Sequence, residues 1–305
     1  MLSNLWNDVR YAVRSLSRTP GFAAAAIVTI ALGVGVNAGI FTILNGVLFR
    51  DLPAADAHEL VSIEQTVEGS QVTAPGGAGT FTISEYRAYR DRAQTLSGVL
   101  AHADPRETTL GGEAPQRVYG AIVSCNYFTV LGRSPALGRA LSAQDCEPGA
   151  DPVVVLGHGV WTTTFAADAG ILGRAVELDG HSFTVVGIAP EGMYGGSPLR
   201  TGYFAPLGAE PRLWAGQSRY EDETLPWLYL VGRRSDAMGL EQVRAELGVI
   251  AAQIDQLEPG RSTTLTIARA IPKTMPSDLR GPATGCRIHG SANRACRRQP
   301  DRSRK

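Results

Sequence analysis

The stretch GFAAAAIVTIALGVGVNAGIFTILNGVLF (Gly21–Phe49) decides how the chain is read, because its 29 residues carry no charge. About 20 mainly apolar residues suffice to span a bilayer as a helix, and buried globular helices rarely run so long without a charge. A secretory signal is the rival, since Ala55-Asp56-Ala57 resembles a cleavage site. Its apolar core would be only about 7–15 residues long, so a retained membrane helix over 21–49 is expected. Arg10, Arg14 and Arg18 stand just before it, which predicts a cytoplasmic N-terminus and an exported remainder.

Around those arginines, Leu2, Leu5, Val9, Ala12, Val13 and Leu16 recur at helical spacing. Residues 1–20 therefore read as an amphipathic helix at the inner membrane surface, placed to touch a cytoplasmic partner and membrane lipid. Thr19-Pro20 marks the break before the span. Inside the span, Gly33, Gly35 and Gly39 form G-x-G-x-x-x-G. A dinucleotide loop would need a strand before it, and the preceding run is long and alanine-rich. Small-residue packing against another membrane helix fits better, with Asn37 facing that partner or bonding its own backbone.

The 305 residues have 44% hydrophobic and 19% charged content, which excludes a disordered or fibrous chain. The net charge of zero conceals +3 over residues 1–50, −9 over 51–280 and +6 over 281–305. Lysine occurs only at 273 and 305, so no phosphate-binding G-x-x-x-x-G-K-[ST] loop exists. Any ATP hydrolysis must come from a separate chain.

Beyond the span the pattern is mixed. Leu60–Gln65 alternates as a strand, and Thr82-x-x-Glu85 is a capping box opening a helix with Ile83, Tyr86, Ala93 and Leu96 on one face. Gly98–His102 follows as a strand. Near the end, strand Trp227–Val231, a helix through Leu240, Val243, Leu247, Ile250, Ile254 and Leu257, and strand Thr263–Ala268 predict a βαβ unit with a parallel pair. Val118–Ser124, Pro152–Leu156, Ala175–Leu178 and Ser182–Ile188 are strand candidates between, with Asp179-Gly180 as a hairpin turn and Trp161–Phe165 as a short helix. The fold expected is α+β: an α/β part of two βαβ-like halves with a β-rich segment inserted.

At these residues the chain resembles a family. Asp8–Pro53 (DVRYAVRSLSRTPGFAAAAIVTIALGVGVNAGIFTILNGVLFRDLP) is similar to the opening of permeases of the macrolide-exporter (MacB) type, and more narrowly to duplicated orphan permeases of acidobacteria. FTISEYRAYRD (Phe81–Asp91), VSCNYFTVLGRSPALGR (Val123–Arg139), PVVVLGHGVW (Pro152–Trp161) and ILGRAVELDGHSFTVVGIAPEGMYGG (Ile171–Gly196) follow in the same order. The resemblance implies a first membrane helix and then a periplasmic core domain over 50–271, with its α/β part near 58–122 and 225–270 and its β-rich insert near 123–224. It implies a bacterial inner-membrane location, and a separate ATP-binding ABC subunit, other permease helices or a homo-oligomer as partners. Function would lie in efflux or mechanotransmission driven by cytoplasmic ATP turnover.

Family chains then return to the membrane, whereas residues 272–305 form a basic tail with Ile288 as the one large aliphatic from Gly281 onward. A frame shift or truncation is expected there; a nucleic-acid-binding tail is disfavoured by the missing aromatics and the exported side.

The search for chemistry returns little. His58-Glu59 opens like H-E-x-x-H but ends in Ser62. Tyr194–Leu199 is not a nucleophile elbow. His158 beside Asp151 lacks a nucleophile, and Glu221-Asp222-Glu223 reads as a solvated run rather than a cation site. Cys286, His289 and Cys296 lack zinc spacing. Cys125 and Cys146 would meet an oxidising compartment, where a disulfide or two buried thiols are the alternatives. No enzyme, metal or cofactor is expected. The alternative function is a membrane-anchored periplasmic ligand sensor or adhesion module.

Overall fold

The computed structural model describes residues 20–48, 54–69, 79–112, 114–147, 149–193, 201–214, 218–236 and 238–270. The amphipathic segment with Arg10, Arg14 and Arg18, the turn 194–199 and the basic tail lie outside these. The chain divides into two compact units, residues 1–50 and 51–305.

In the first unit Pro20–Leu48 forms one helix, α1. Pro at the first helical position costs no hydrogen bond, which fixes the start. Side chains along α1 are described without interruption only over 28–39, and among the described residues no helix is long and apolar enough to cross a membrane. Val28, Ile30, Leu32, Val34, Val36 and Phe41 on this helix are all exposed.

The second unit runs β1 (Leu60–Glu68), α2 (Ile83–Arg92), β2 (Leu96–His102), β3 (Arg106–Leu110), β4 (Gln116–Val123), α3 (Tyr127–Val130), β5 (Leu137–Gly138), β6 (Val153–Leu156), α4 (His158–Thr164), β7 (Ala175–Leu178), β8 (His181–Ile188), β9 (Thr201–Pro206), α5 (Glu210–Leu213), β10 (Tyr229–Arg234), α6 (Leu240–Asp255) and β11 (Ser262–Arg269).

Four strands form an antiparallel array in the order β11-β1-β10-β2. Each half is thus a split βαβ: β1 and β2 run parallel with β10 between them, and β10 and β11 run parallel with β1 between them. The expected parallel direction of β10 and β11 holds, and β1 lies between the two strands. Strand-helix-strand spacing fixes the direction of the returning strand, and the partner half supplies the strand that fills the gap.

The array continues through the His102–Val123 pair into a closed circuit, β4-β3-β7-β8-β6-β9, in which β9 pairs back parallel to β4. Closure removes free strand edges. The β-rich portion therefore takes in β3 and β4 as well as β6–β9. Asp179 and Gly180, with φ of 46° and 81°, make the two-residue turn between β7 and β8. Gly120 is required by close approach, since any Cβ there would fall on the Tyr203 ring, whose hydroxyl accepts from Thr108 Oγ1 at 3.0 Å.

Alternation along β1 sends Val61 and Ile63 to a core shared with Tyr86, Tyr89, Val243, Leu247 and Ile250. Leu60 goes to a second core with Leu100, Tyr127, Phe128, Val130 and Phe204. Helix α2 ends at Arg92, so the expected face residues Ala93 and Leu96 fall in its C-cap and in β2, and Tyr89 takes the buried position. Helix α6 is capped at Gln256, leaving Leu257 exposed beyond it.

Candidate functional site

The lead-in segment, residues 54–59, and the end of β11 meet at one end of the four-strand array. Strands β1 and β11 pair from Val61–Arg269 to Glu68–Ser262, and Ala270 N donates to Leu60 O at 3.0 Å. The backbone therefore comes into the array and leaves it side by side.

Arg233 on β10, opposite Leu60 in register, holds this corner. Its Nη1 lies 2.6 Å from Glu59 Oε2, its Nη2 donates to Ala55 O at 2.7 Å, and its Nε donates to Val130 O at 2.7 Å. The Arg233 and Glu59 side chains are 15% and 28% exposed, so the pair is partly desolvated and stronger than a surface bridge. Arg234 Nη2 donates to His58 O at 3.2 Å and its Nη1 to Met238 O at 2.7 Å. A register shift on β2 opposite these residues leaves Ser97 as the extra residue, and Ser97 Oγ donates to Arg233 O at 3.3 Å. Ala55 N also donates to Leu131 O at 3.0 Å. Gly132, at φ 63°, lets this approach happen: a Cβ there would lie 3.0 Å from Ala55 Cβ and 3.4 Å from Arg233 Nη2. The pair His58-Glu59 thus docks the lead-in segment, Glu59 through its carboxylate and His58 through its backbone carbonyl.

At the opposite end of the array a buried charge network ties α2 to α6 and β11. Thr82 caps α2 by accepting from Glu85 N at 3.1 Å, while Thr82 N donates to Glu85 Oε2 at 2.7 Å. Gln65 Nε2 donates to both Glu85 oxygens and to Thr80 O. Arg261 pairs with Glu85 and also reaches Asp255 at 3.1 Å and Glu258 at 3.3 Å. Asp255 in turn accepts from Thr263 N and Oγ1 at 2.7 and 2.6 Å. Burial would lower the Arg261 pKa, but Glu85, Glu258 and Asp255 outweigh it and raise it. Burial, with Glu85 adding to it, raises the Tyr89 hydroxyl.

Cys125 and Cys146 are bonded, with Cα atoms 6.2 Å apart. The bond fastens the loop 142–146 beside α3. Asp145 secures the same loop through Arg139 at 2.6 and 2.9 Å and Ser142 N at 2.6 Å. Burial pushes the Asp145 carboxyl up, and these bonds more than reverse it, leaving it below the ordinary carboxylate range.

On α1, Asn37 Nδ2 donates to Gly33 O at 3.0 Å, so its amide serves its own helix. Among the described residues a Cβ at Gly33, Gly35 or Gly39 would meet nothing within 4 Å; Gly35 and Gly39, four apart, share one face of α1, and Gly33 lies on another. His158 packs edge-on to Trp161 at 5.5 Å. Glu223 pairs with Arg87 at 2.8 Å, and Asp222 accepts from Thr224. No group of three metal-capable side chains occurs among the described residues. Sequence reading found Glu85 as a cap and missed its role as a hub. It also missed Arg233 and Arg261, whose partners lie far along the chain.

Residues 23–249 match the family model of the MacB-like periplasmic core domain. Among solved structures the chain is similar to the periplasmic region of MacB from Actinobacillus actinomycetemcomitans, with 15% identity and a TM-score of 0.50 over 73% of this chain and 91% of that one. It is also similar to the extracellular domain of the noncanonic ABC-type transporter YknZ from Gram-positive bacteria, with 15% identity and a TM-score of 0.47 over 66% and 98%. No curated protein sequence matches it.

Proposed function

The chain belongs to the MacB-like periplasmic core domain family, and from that premise we propose that it is the membrane-anchored, non-catalytic permease component of an ABC-type efflux or mechanotransmission system. In this reading α1 is the membrane helix, packed through Gly33, Gly35 and Gly39 against other permease helices or a second copy. Arg10, Arg14 and Arg18 keep the N-terminus cytoplasmic in the inner membrane, and the domain from residue 54 lies in the periplasm. A separate ATP-binding subunit does the chemistry. Its turnover shifts α1, and the shift reaches the domain through the lead-in segment.

The observation that carries this reading is the corner built by β1, β11 and Arg233. Displacement of residues 54–59 is passed to two strands and to α3 at once, so the domain responds as a body and not by fraying. The family match beginning at residue 23, inside α1, also supports treating helix and domain as one module.

The test uses the tagged full chain, extracted in mild detergent from native inner membranes. An ABC ATP-binding subunit should copurify, and its recovery should drop when Gly35 and Gly39 are both replaced by Leu. In a chain with Cys286 and Cys296 replaced by Ser, labelling of intact cells with an impermeant thiol reagent should reach a cysteine placed at exposed Glu258 and not one placed at Ser3. Copurification of a signalling protein in place of an ATPase would favour the sensor reading, and protection of residue 258 would overturn the topology.

A further inference from the structure

Two arginines on the second unit converge on one tryptophan. Arg106 opens β3, Trp214 follows α5, and Arg219 lies in the loop beyond. The guanidinium carbons of Arg106 and Arg219 sit 4.5 and 5.7 Å from the centroid of the Trp214 ring. Among the described residues neither guanidinium has an ion-pair partner or a hydrogen-bond acceptor.

The nearest carboxylates are already committed. Glu210, 1% exposed, accepts from Ser218 Oγ at 3.2 Å, Arg219 N at 3.1 Å and Tyr220 N at 3.3 Å. Asp104 accepts from the Tyr229 hydroxyl at 2.9 Å. Burial lowers the Arg106 pKa and Arg219 beside it lowers it further, against the pull of Glu210 and Asp104. Two cations crowded together, partly desolvated and unpaired, are unfavourable by themselves. Cation–π attraction to an indole returns only about 1 kcal/mol at such sites.

Two indole donors stand unmet in the same place. Among the described residues Trp214 Nε1 and Trp227 Nε1 are buried without hydrogen-bond partners, and the two rings meet edge to face at 5.8 Å. Every unsatisfied group here is a donor or a cation, and a guanidinium fork matches the paired oxygens of a carboxylate or phosphate.

We propose that Arg106 and Arg219, seated on Trp214, form a binding site for an oxyanion, carboxylate or phosphate, carried by a soluble ligand. The site lies at the end of the array opposite the lead-in segment. In register Tyr229 pairs with His102 there, while Arg233 pairs with Leu60 at the other end. Binding relieves the repulsion between the two cations, and it clamps β3 of the closed circuit to the loop after α5.

The test titrates the detergent-solubilised full chain with inorganic phosphate, then with succinate, in a buffer free of other oxyanions. Calorimetry and thermal melting are read together. Saturable binding and a rising melting temperature are expected, with affinity falling at least tenfold in Arg106→Gln and in Arg219→Gln. Arg106→Lys keeps the charge without the fork and should weaken binding severalfold, which covers the case of a Gln variant that folds poorly. Arg117→Gln removes an exposed arginine paired with Glu107 and should leave binding unchanged. Equal stabilisation by sodium chloride at matched ionic strength, or undiminished phosphate binding in Arg219→Gln, would overturn the site. Binding confined to phosphatidylglycerol vesicles, with free phosphate and succinate inert, would overturn the soluble source and assign the oxyanion to a lipid headgroup.

Discussion

Arg261 and Glu85 illustrate how charge is kept inside this domain. Their side chains are 11% and 3% exposed, and burial of that depth is tolerated only when each charge is paired and its remaining hydrogen-bonding groups are met. Arg261 meets three acids, and Glu85 receives Thr82 N and Gln65 Nε2 besides. Replacing Arg261 by Ala strips the cation from both Glu85 and Asp255, so a loss of about 3–5 kcal/mol is expected in urea unfolding. Glu85→Gln leaves Arg261 its other two acids and should cost less. The double variant should be less destabilised than the sum of the single ones by about 0.5–3 kcal/mol, the range typical of groups in one network; strict additivity would show that the network does not act as a unit. Sequence alone reached only the local half of this arrangement. The capping box at Thr82–Glu85 is a contact across three residues and is legible in the residue types. Arg261 lies 176 residues further on, and nothing in a linear pattern distinguishes it from any other arginine after a helix stop.

At the scale of elements, local signals were readable and pairings were not. The Asp179-Gly180 turn, the α6 periodicity and most strand positions follow from backbone preference and side-chain alternation, which act over a few residues. Strand order depends on which half fills which gap. The period of β1 says that one face is buried, but it cannot say that β10 and β11 will flank it. The Cys125–Cys146 bond shows the same division: residue type and compartment left a bond and two buried thiols open, while the fold of 126–145 decides that the two sulfurs meet. With a sequence separation of 21, loop closure in the unfolded chain predicts about 3 kcal/mol of stabilisation. The variant with both cysteines replaced by Ser should unfold at correspondingly lower urea concentration, and reductant should bring the wild-type chain to the same midpoint. The loop itself should stay docked when native, because Asp145 still binds Arg139 and Ser142. Equal midpoints with and without reductant would mean that the bond does not constrain the folded chain in solution.

For the second unit as a whole, the geometry of its attachment sets how it answers motion at residues 54–59. Antiparallel strands loaded from the same end open one hydrogen bond at a time, the weakest way to load a ladder. Leu60 and Ala270 stand at that end, joined by a single backbone bond. Arg233 counters this by fastening Ala55, Glu59 and Val130 from a third strand, so that opening the corner must also break its bonds. Arg233→Ala should therefore act locally. It leaves Glu59 partly buried without its cation and two carbonyls without their donor, an expected cost of about 1–3 kcal/mol for opening the corner. Local opening governs amide exchange, and about 1.4 kcal/mol corresponds to a factor of ten. Amides of Ala55 and Ala270 should thus exchange roughly tenfold or more faster in the variant by hydrogen-exchange mass spectrometry. Val155 and Phe204, in the closed circuit, should keep wild-type rates. Faster exchange throughout both regions would mean that Arg233 supports the entire fold, and unchanged rates at Ala55 and Ala270 would show that β1 and β11 hold the corner without it. The local outcome is what a transmitting joint requires: stiff at the point where motion comes in, and separable from the stability of the body that it moves.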